Sequence, residues 1–237
     1  MKLQFDANQD YQLEAIRSVV ALFDGQPDSS HAAVSRDDEL SSLQLNEFGV
    51  ANLRVIDDEQ WLKNLHGVQT AHGIAPSSAL ETMILDDGTS IGAFPNFTVE
   101  METGTGKTYV YLRTIHELSK TYGFKKFVIV VPSVAIREGV LKSFQITHEH
   151  FKTLYDYERV EFKVYDSAKV NELRNFSLSD AIQILVINID AFAKDSTEPS
   201  TPAESKKVKK SKGNVINQLR ETGVKPIEFI QSANPIV

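Results

Sequence analysis

The sequence predicts an α/β fold built on a parallel sheet with helices on its faces. Three observations carry that prediction. The stretches Phe127–Val131 and Ile184–Ile189 place apolar residues on both faces, as strands covered by helices on each side require. Amphipathic helical patterns separate the strands, and parallel neighbours need such crossovers. A glycine-rich loop joins an extended apolar segment to a helical one, a junction typical of this class. With 237 residues, 41% apolar and 24% charged, the chain has a globular composition and can form a sizeable core.

The elements follow in order. Over residues 8–24, Tyr11, Ala15, Ile16, Val19, Val20 and Phe23 recur at helical spacing, with Asn8 offered as N-cap and Gly25 as the stop. From Gln26 to Asn96 the pattern breaks into polar pieces punctuated by Gly and Pro. Only Asp57–Leu65, around Trp61, reads there as a helix, so residues of about 26–95 are taken as an insertion. Phe97-Thr98-Val99 reads as the strand feeding the glycine-rich loop, and Val110, Ile115 and Leu118 mark the helix that Gly123 closes. Phe127–Val131 is the next strand, ended by Pro132, and a helix over 133–149 follows. Val160, Phe162 and Val164 alternate with Glu161, Lys163 and Tyr165, which suggests an edge strand, whereas Ile184–Ile189 reads as central. Residues 194–213 hold Ser, Thr, Pro and five lysines, Lys206, Lys207, Lys209, Lys210 and Lys212, without periodicity, and are expected to form a flexible loop. Asn234-Pro235-Ile236-Val237 looks like the opening of a further strand.

Composition excludes several classes. No cysteine is present, which removes disulfides, thiolate metal sites and cysteine nucleophiles. The N-terminus lacks an apolar signal core, and the longest apolar run, Phe127–Val131, is too short to span a bilayer, so no membrane association and a cytoplasmic location are expected. A net charge of −7 offers no bulk attraction to nucleic acid. Any such contact has to be a local groove. The histidines show no metal-ligand spacing, and no Ser/His/Asp arrangement stands out.

Thr103-Gly104-Thr105-Gly106-Lys107-Thr108 is the most informative segment. Its glycines allow backbone N–H groups to turn onto phosphates, and the following helix start adds partial positive charge. Lys107 is expected to reach the β/γ-phosphates of ATP and Thr108 to ligate Mg2+. The strict P-loop asks for glycine five residues before Gly106, where this chain has Met101. That departure disfavours small kinases and GTPases and points to the helicase-like variant.

Upstream, Gln12 either reads the adenine edge through its amide or lies on a solvated helix face. Phe5 either stacks on the base or belongs to the core. After the strand ending at Val131, Ser133 and Arg137 can hold DNA backbone phosphates at a helix start; the plainer reading makes Ser133 a cap and leaves Arg137 in solvent. Asn188 and Asp190 end the next strand at the same edge and either support binding or are an ordinary polar strand end. The lysine cluster reads as a linker or as a nucleic-acid arm.

Taken with its flanks, the chain resembles the N-terminal part of the Res, or motor, subunit of type III restriction-modification enzymes within superfamily-two helicases. The residues that carry the likeness are Phe5–Gln12, Asn52-Leu53-Arg54, Phe97–Leu112 and Pro132–Gly139. The resemblance implies a RecA-like P-loop lobe, incomplete at its C-terminus, of a motor fuelled by ATP and Mg2+. Such a motor acts on double-stranded DNA together with a DNA methyltransferase subunit, and a nuclease domain beyond this chain would cut. An Asp-Glu metal motif and a second lobe would likewise lie beyond it, so these 237 residues alone are expected to be inactive. Another superfamily-two translocase, such as a type I restriction motor or an RNA helicase, and a non-catalytic nucleotide- or nucleic-acid-binding module are the alternatives.

Overall fold

The computed structural model describes residues 5–27, 43–85, 87–169, 171–192, 215–219 and 223–237. The lysine-rich stretch of 206–212 lies outside them. Along the chain run α1 (Asp10–Ala21), β1 (Leu43–Asn46), β2 (Gly49–Asn52), α2 (Asp58–Ala71), β3 (Glu81–Ile84), β4 (Ser90–Phe94) and α3 (Lys107–Tyr122). These are followed by β5 (Lys126–Val131), α4 (Val134–Leu154), β6 (Val160–Val164), α5 (Asn171–Leu178), β7 (Ile182–Asn188) and α6 (Pro226–Ser232). The chain divides into two compact units. One comprises Met1–Ser42, Leu53–Phe124 and Ser143–Tyr157; the other comprises Leu43–Asn52, Lys125–Lys142 and Glu158–Val237.

The first unit gathers α1, α2 and α3 around aromatic contacts. Phe23 meets Trp61 edge-on with centroids 4.8 Å apart and Phe124 at 5.3 Å, while Trp61 lies 5.3 Å from Phe97. The N-cap of α1 is Gln9, not Asn8, because the Asn8 N–H turns back to the Asp6 carboxylate. Carbonyls just past its C-terminus are covered from α2, where Asn64 Nδ2 donates to Leu22 O and Asp24 O at 2.8 Å each. Asp57 caps α2 by accepting from Gln60 N. The helix runs to Ala71 rather than stopping near Leu65, since Gln69 and His66 side chains bond Ser77 and hold its last turns where apolar periodicity has faded. Gly123, in the left-handed region at φ +74, closes α3 as expected.

Phe97–Val99 is the main correction. Among the described residues it pairs with no strand, and Val99 is exposed. Strand formation needs a hydrogen-bonding neighbour, which propensity alone does not supply.

The second unit holds a parallel sheet in the order β5-β7-β6. Phe127 pairs with Ile184 and Phe162 with Ile184, so β7 is central and β6 is an edge, as the hydrophobic pattern indicated. Ile236 adds a parallel bridge to Phe127, with Ile236 N donating to Lys126 O and Val128 N to Ile236 O. On one face Val128, Leu185 and Ile187 pack with Leu173 and Phe176 of α5, Ile216, and Ile230 of α6. The two short helices α5 and α6 carry no long periodic stripe in the sequence, which is why they were not expected.

Two polar residues are built into this core. Asn52, 3% exposed, accepts from Lys125 N and Lys126 N and donates to Lys126 O; its own N–H bonds Ala233 O. Lys126 is fully buried and caps the C-terminal end of α5, its Nζ donating to the Phe176, Ser177 and Ser179 carbonyls. Burial, aided by the nearby Lys163 charge, pulls the Lys126 ammonium down to about 8. The hairpin β1–β2, absent from the sequence reading, joins this unit through Ser177 Oγ to Phe48 O and Asn46 Nδ2 to Ser232 O.

Candidate functional site: a glycine-rich loop at a helix start

The loop lies in the first unit. Gly104 and Gly106 both adopt positive φ, +86 and +85, a region that only glycine enters cheaply. Gly106 is the N-cap of α3, and its carbonyl accepts the first helical bond from Val110 N at 3.0 Å. Helix geometry leaves the first N–H groups of α3 without intrahelical partners. Thr105 Oγ1 braces the approach by donating to Glu102 O at 2.7 Å. Thr103, Gly104 and Lys107 are exposed, and Thr108 is half-buried. Open N–H groups, a helix N-terminus and an adjacent lysine suit an anion of several charges.

Gln12 comes to this loop from α1. It is 8% exposed, and its Nε2 donates to Thr105 O at 2.9 Å. A Cβ on Gly106 would stand 2.7 Å from that nitrogen. Gln12 is therefore no solvated-face residue. Phe5 also has a settled place: its ring stacks on Tyr109 at 6.0 Å and lies 5.3 Å from His150, which makes it a packing residue.

Behind the loop sits a group that sequence reasoning passed over. Arg113 is 7% exposed; its Nη1 donates to Ala7 O at 2.5 Å and its Nε to the Tyr155 hydroxyl at 3.2 Å. Tyr155 in turn donates to Glu117 at 2.6 Å. Burial opposes the Arg113 charge, but Tyr155, Tyr109 and Glu117 together hold it in the charged form. Burial and the Glu117 carboxylate raise the Tyr155 phenol, and burial with the Arg113 charge lowers the His150 imidazole. The available signal was Tyr109, Arg113 and Glu117 at successive spacings of four, which puts a charge on the buried stripe of a helix.

Ser133 and Arg137 belong to the second unit, Ser133 just before α4 and Arg137 in its first turn. Ser133 acts as a cap, accepting from Ile136 N at 3.3 Å. Arg137 Nη2 donates to Glu138 Oε1 at 2.9 Å. Asn188 Oδ1 accepts from Asp190 N in a local turn at the end of β7. Among the described residues no group of three or more His, Asp or Glu could hold a metal ion, and no helix is long and apolar enough to cross a membrane.

The family model "Type III restriction enzyme, res subunit" matches residues 7–217. The chain belongs to this Res subunit family. Its α/β fold with a parallel sheet flanked by helices is of the RecA-like type. Among relatives, the StyLTI Res subunit of Salmonella typhimurium is 41% identical over 110 residues, covering 39% of this chain and 11% of that protein. The EcoP15I Res subunit of Escherichia coli is 38% identical over 116 residues, covering 46% and 10%, respectively. The EcoPI Res subunit of Escherichia phage P1 is 32% identical over 168 residues, covering 68% and 14%. The chain thus spans between a tenth and a seventh of these relatives.

Proposed function

We propose that this Res-family chain forms the nucleotide-binding lobe of an ATP-dependent, DNA-translocating restriction motor that works with a DNA methyltransferase subunit. The observation that carries the reading is the Gly104–Gly106 loop in left-handed conformation at the start of α3, with Gln12 bonded to its Thr105 carbonyl. Lys107 would neutralise the β- and γ-phosphates, and Thr108 would supply a hydroxyl to Mg2+. Thr103, Gly104, Thr105 and Gly106 would present backbone N–H groups to the phosphates. Gln12 Nε2 is engaged by the loop, which leaves its carbonyl oxygen as the group that would accept from the adenine amino edge. ATP with Mg2+ would supply the phosphoryl-transfer chemistry that powers the motor. Ser133 and Arg137 would track DNA backbone phosphates, with Arg137 exchanging its Glu138 partner for a phosphate.

The test is Lys107→Ala in the full-length subunit assembled with its methyltransferase. Nucleotide affinity should fall on the order of 10²-fold, as expected when a charged hydrogen-bonding partner worth roughly 1.5–3 kcal/mol is removed. ATP-driven cleavage should vanish while sequence-specific DNA binding persists. Cleavage at the wild-type rate would remove the loop from the mechanism.

A further inference from the structure

We propose that Arg113 is a positioning residue for nucleotide selection, clamping the segment that carries Gln12 to the helix that carries the phosphate loop. The inference deepens the nucleotide-site reading and rests on it.

A buried guanidinium ordinarily spends its donors on a carboxylate. Arg113 pairs with Glu117 at 3.7 Å from its Nε, yet gives its shortest bond, 2.5 Å, to the main-chain carbonyl of Ala7. Ala7 lies at the entry to α1, and Gln12 follows within the first turn of that helix. Side-chain hydrogen bonds therefore join α1 and its lead-in to α3 and its loop at several points, and at the far end of both helices the Tyr122 hydroxyl donates to Val20 O at 3.2 Å. At the start of α3, Gln12 Nε2 holds Thr105 O; nearly two turns further along, Arg113 holds Ala7 O. Phe5, stacked on Tyr109 and beside His150, fixes the strand of chain just before Ala7. The orientation of the guanidinium is itself constrained. Its Nε bonds the Tyr155 hydroxyl, whose own proton goes to Glu117, so the fork is aimed at Ala7 rather than left to choose among rotamers.

The consequence concerns geometry between two recognition elements. Phosphate affinity belongs to the loop and is common to all nucleoside triphosphates. Discrimination between bases requires the Gln12 amide to stand at a fixed distance and angle from that loop, because a hydrogen bond weakens steeply with misalignment. The Tyr122 bond holds the far end of α1, so the single bond from Gln12 to Thr105 leaves the Ala7 end of the segment free to shift against the loop. The Arg113 clamp removes that freedom, so a loss of the clamp is a loss of selectivity before it is a loss of affinity.

The experiment uses the full-length subunit with its methyltransferase and compares ATP with GTP, each by kcat/KM for DNA-stimulated hydrolysis and by binding. Arg113→Met should lower the ATP-over-GTP ratio about tenfold, the effect of roughly one hydrogen bond. GTP affinity itself should stay near wild type. Arg113→Lys, which keeps a cation able to reach one carbonyl, should restore part of the ratio, and Tyr155→Phe should lower it in the same direction by a smaller factor. A merely structural role would lower the melting temperature and weaken both nucleotides equally, with the ratio unchanged; that result overturns the proposal. Should Arg113→Met fail to fold, Tyr155→Phe and Arg113→Lys decide it by the same ratio. Gln12→Ala separates the two levels: if it abolishes selectivity while the Arg113 variants do not, only the clamp falls, whereas if it leaves selectivity intact, the adenine reading falls and takes the clamp with it.

Discussion

The two loop glycines look alike in the sequence, yet their surroundings differ. Both stand at φ near +85, where any L-residue is strained by roughly 1–2 kcal/mol. Around Gly104 an added Cβ would meet nothing within 4 Å, but at Gly106 it would stand 2.7 Å from Gln12 Nε2. That nitrogen ends a flexible side chain, so Gln12 would swing away and give up its bond to Thr105 O. Gly104→Ala should therefore cost only the backbone strain, while Gly106→Ala should in addition lower ATP affinity about tenfold, the worth of roughly one hydrogen bond. Thermal melting and nucleotide titration of both variants check this. Equal losses at the two positions would mean that the Gln12 contact contributes nothing. The glycine-rich turn and the helix that starts at Lys107 were legible because they are written in consecutive residues. Arg113 was not, because its partners Ala7 and Tyr155 lie 106 and 42 residues away in the chain.

Among the elements, β2 and β5 depend on one side chain. Asn52 lies in a segment that marked the family resemblance without an evident reason. In the fold it receives Lys125 N and Lys126 N, donates to Lys126 O, and its backbone joins Ala233 and Asn234. Asn52→Leu keeps the volume but takes the Asn52 partner from the Lys125 and Lys126 N–H groups, each costing about 1–3 kcal/mol, while Lys126 O keeps Ile236 N as a donor. We expect a stability loss of about 3 kcal/mol or more by urea unfolding. A loss below about 1 kcal/mol would show that water replaces the amide. The hairpin β3–β4 is the opposite case: Met83, Ile84 and Ile91 are all exposed, so packing there contributes little. The helices α1 and α3 could be read from their period and the strands β5 and β7 from their unbroken apolar runs. The hairpins could not, since their short strands are held by turn and side-chain bonds such as Asn46 Oδ1 to Phe48 N and Gly49 N.

At the scale of the whole molecule, the chain carries a net charge of −7, so attraction to a polyanion has to come from individual cations rather than from the overall field. If Arg137 is one of them, Arg137→Ala in the full complex should weaken binding to unrelated DNA sequences alike and reduce the salt slope by about one counterion. An unchanged slope returns Arg137 to its ion pair with Glu138. A loss confined to one sequence would make it a base reader. By itself the sequence determined the α/β class, the strands β5, β6 and β7 with their central and edge places, the glycine-rich loop ahead of α3 and the family, because periodicity and consecutive motifs are short-range properties. Tertiary structure alone decided that Phe97–Val99 stays unpaired among the described residues, that Gln12 faces the loop, that Phe5 packs on Tyr109, and that Arg113 and Asn52 join distant segments. Each of those depends on which residues, far apart in the chain, become neighbours, and a hydrogen bond or a ring contact exists only once its partner has arrived.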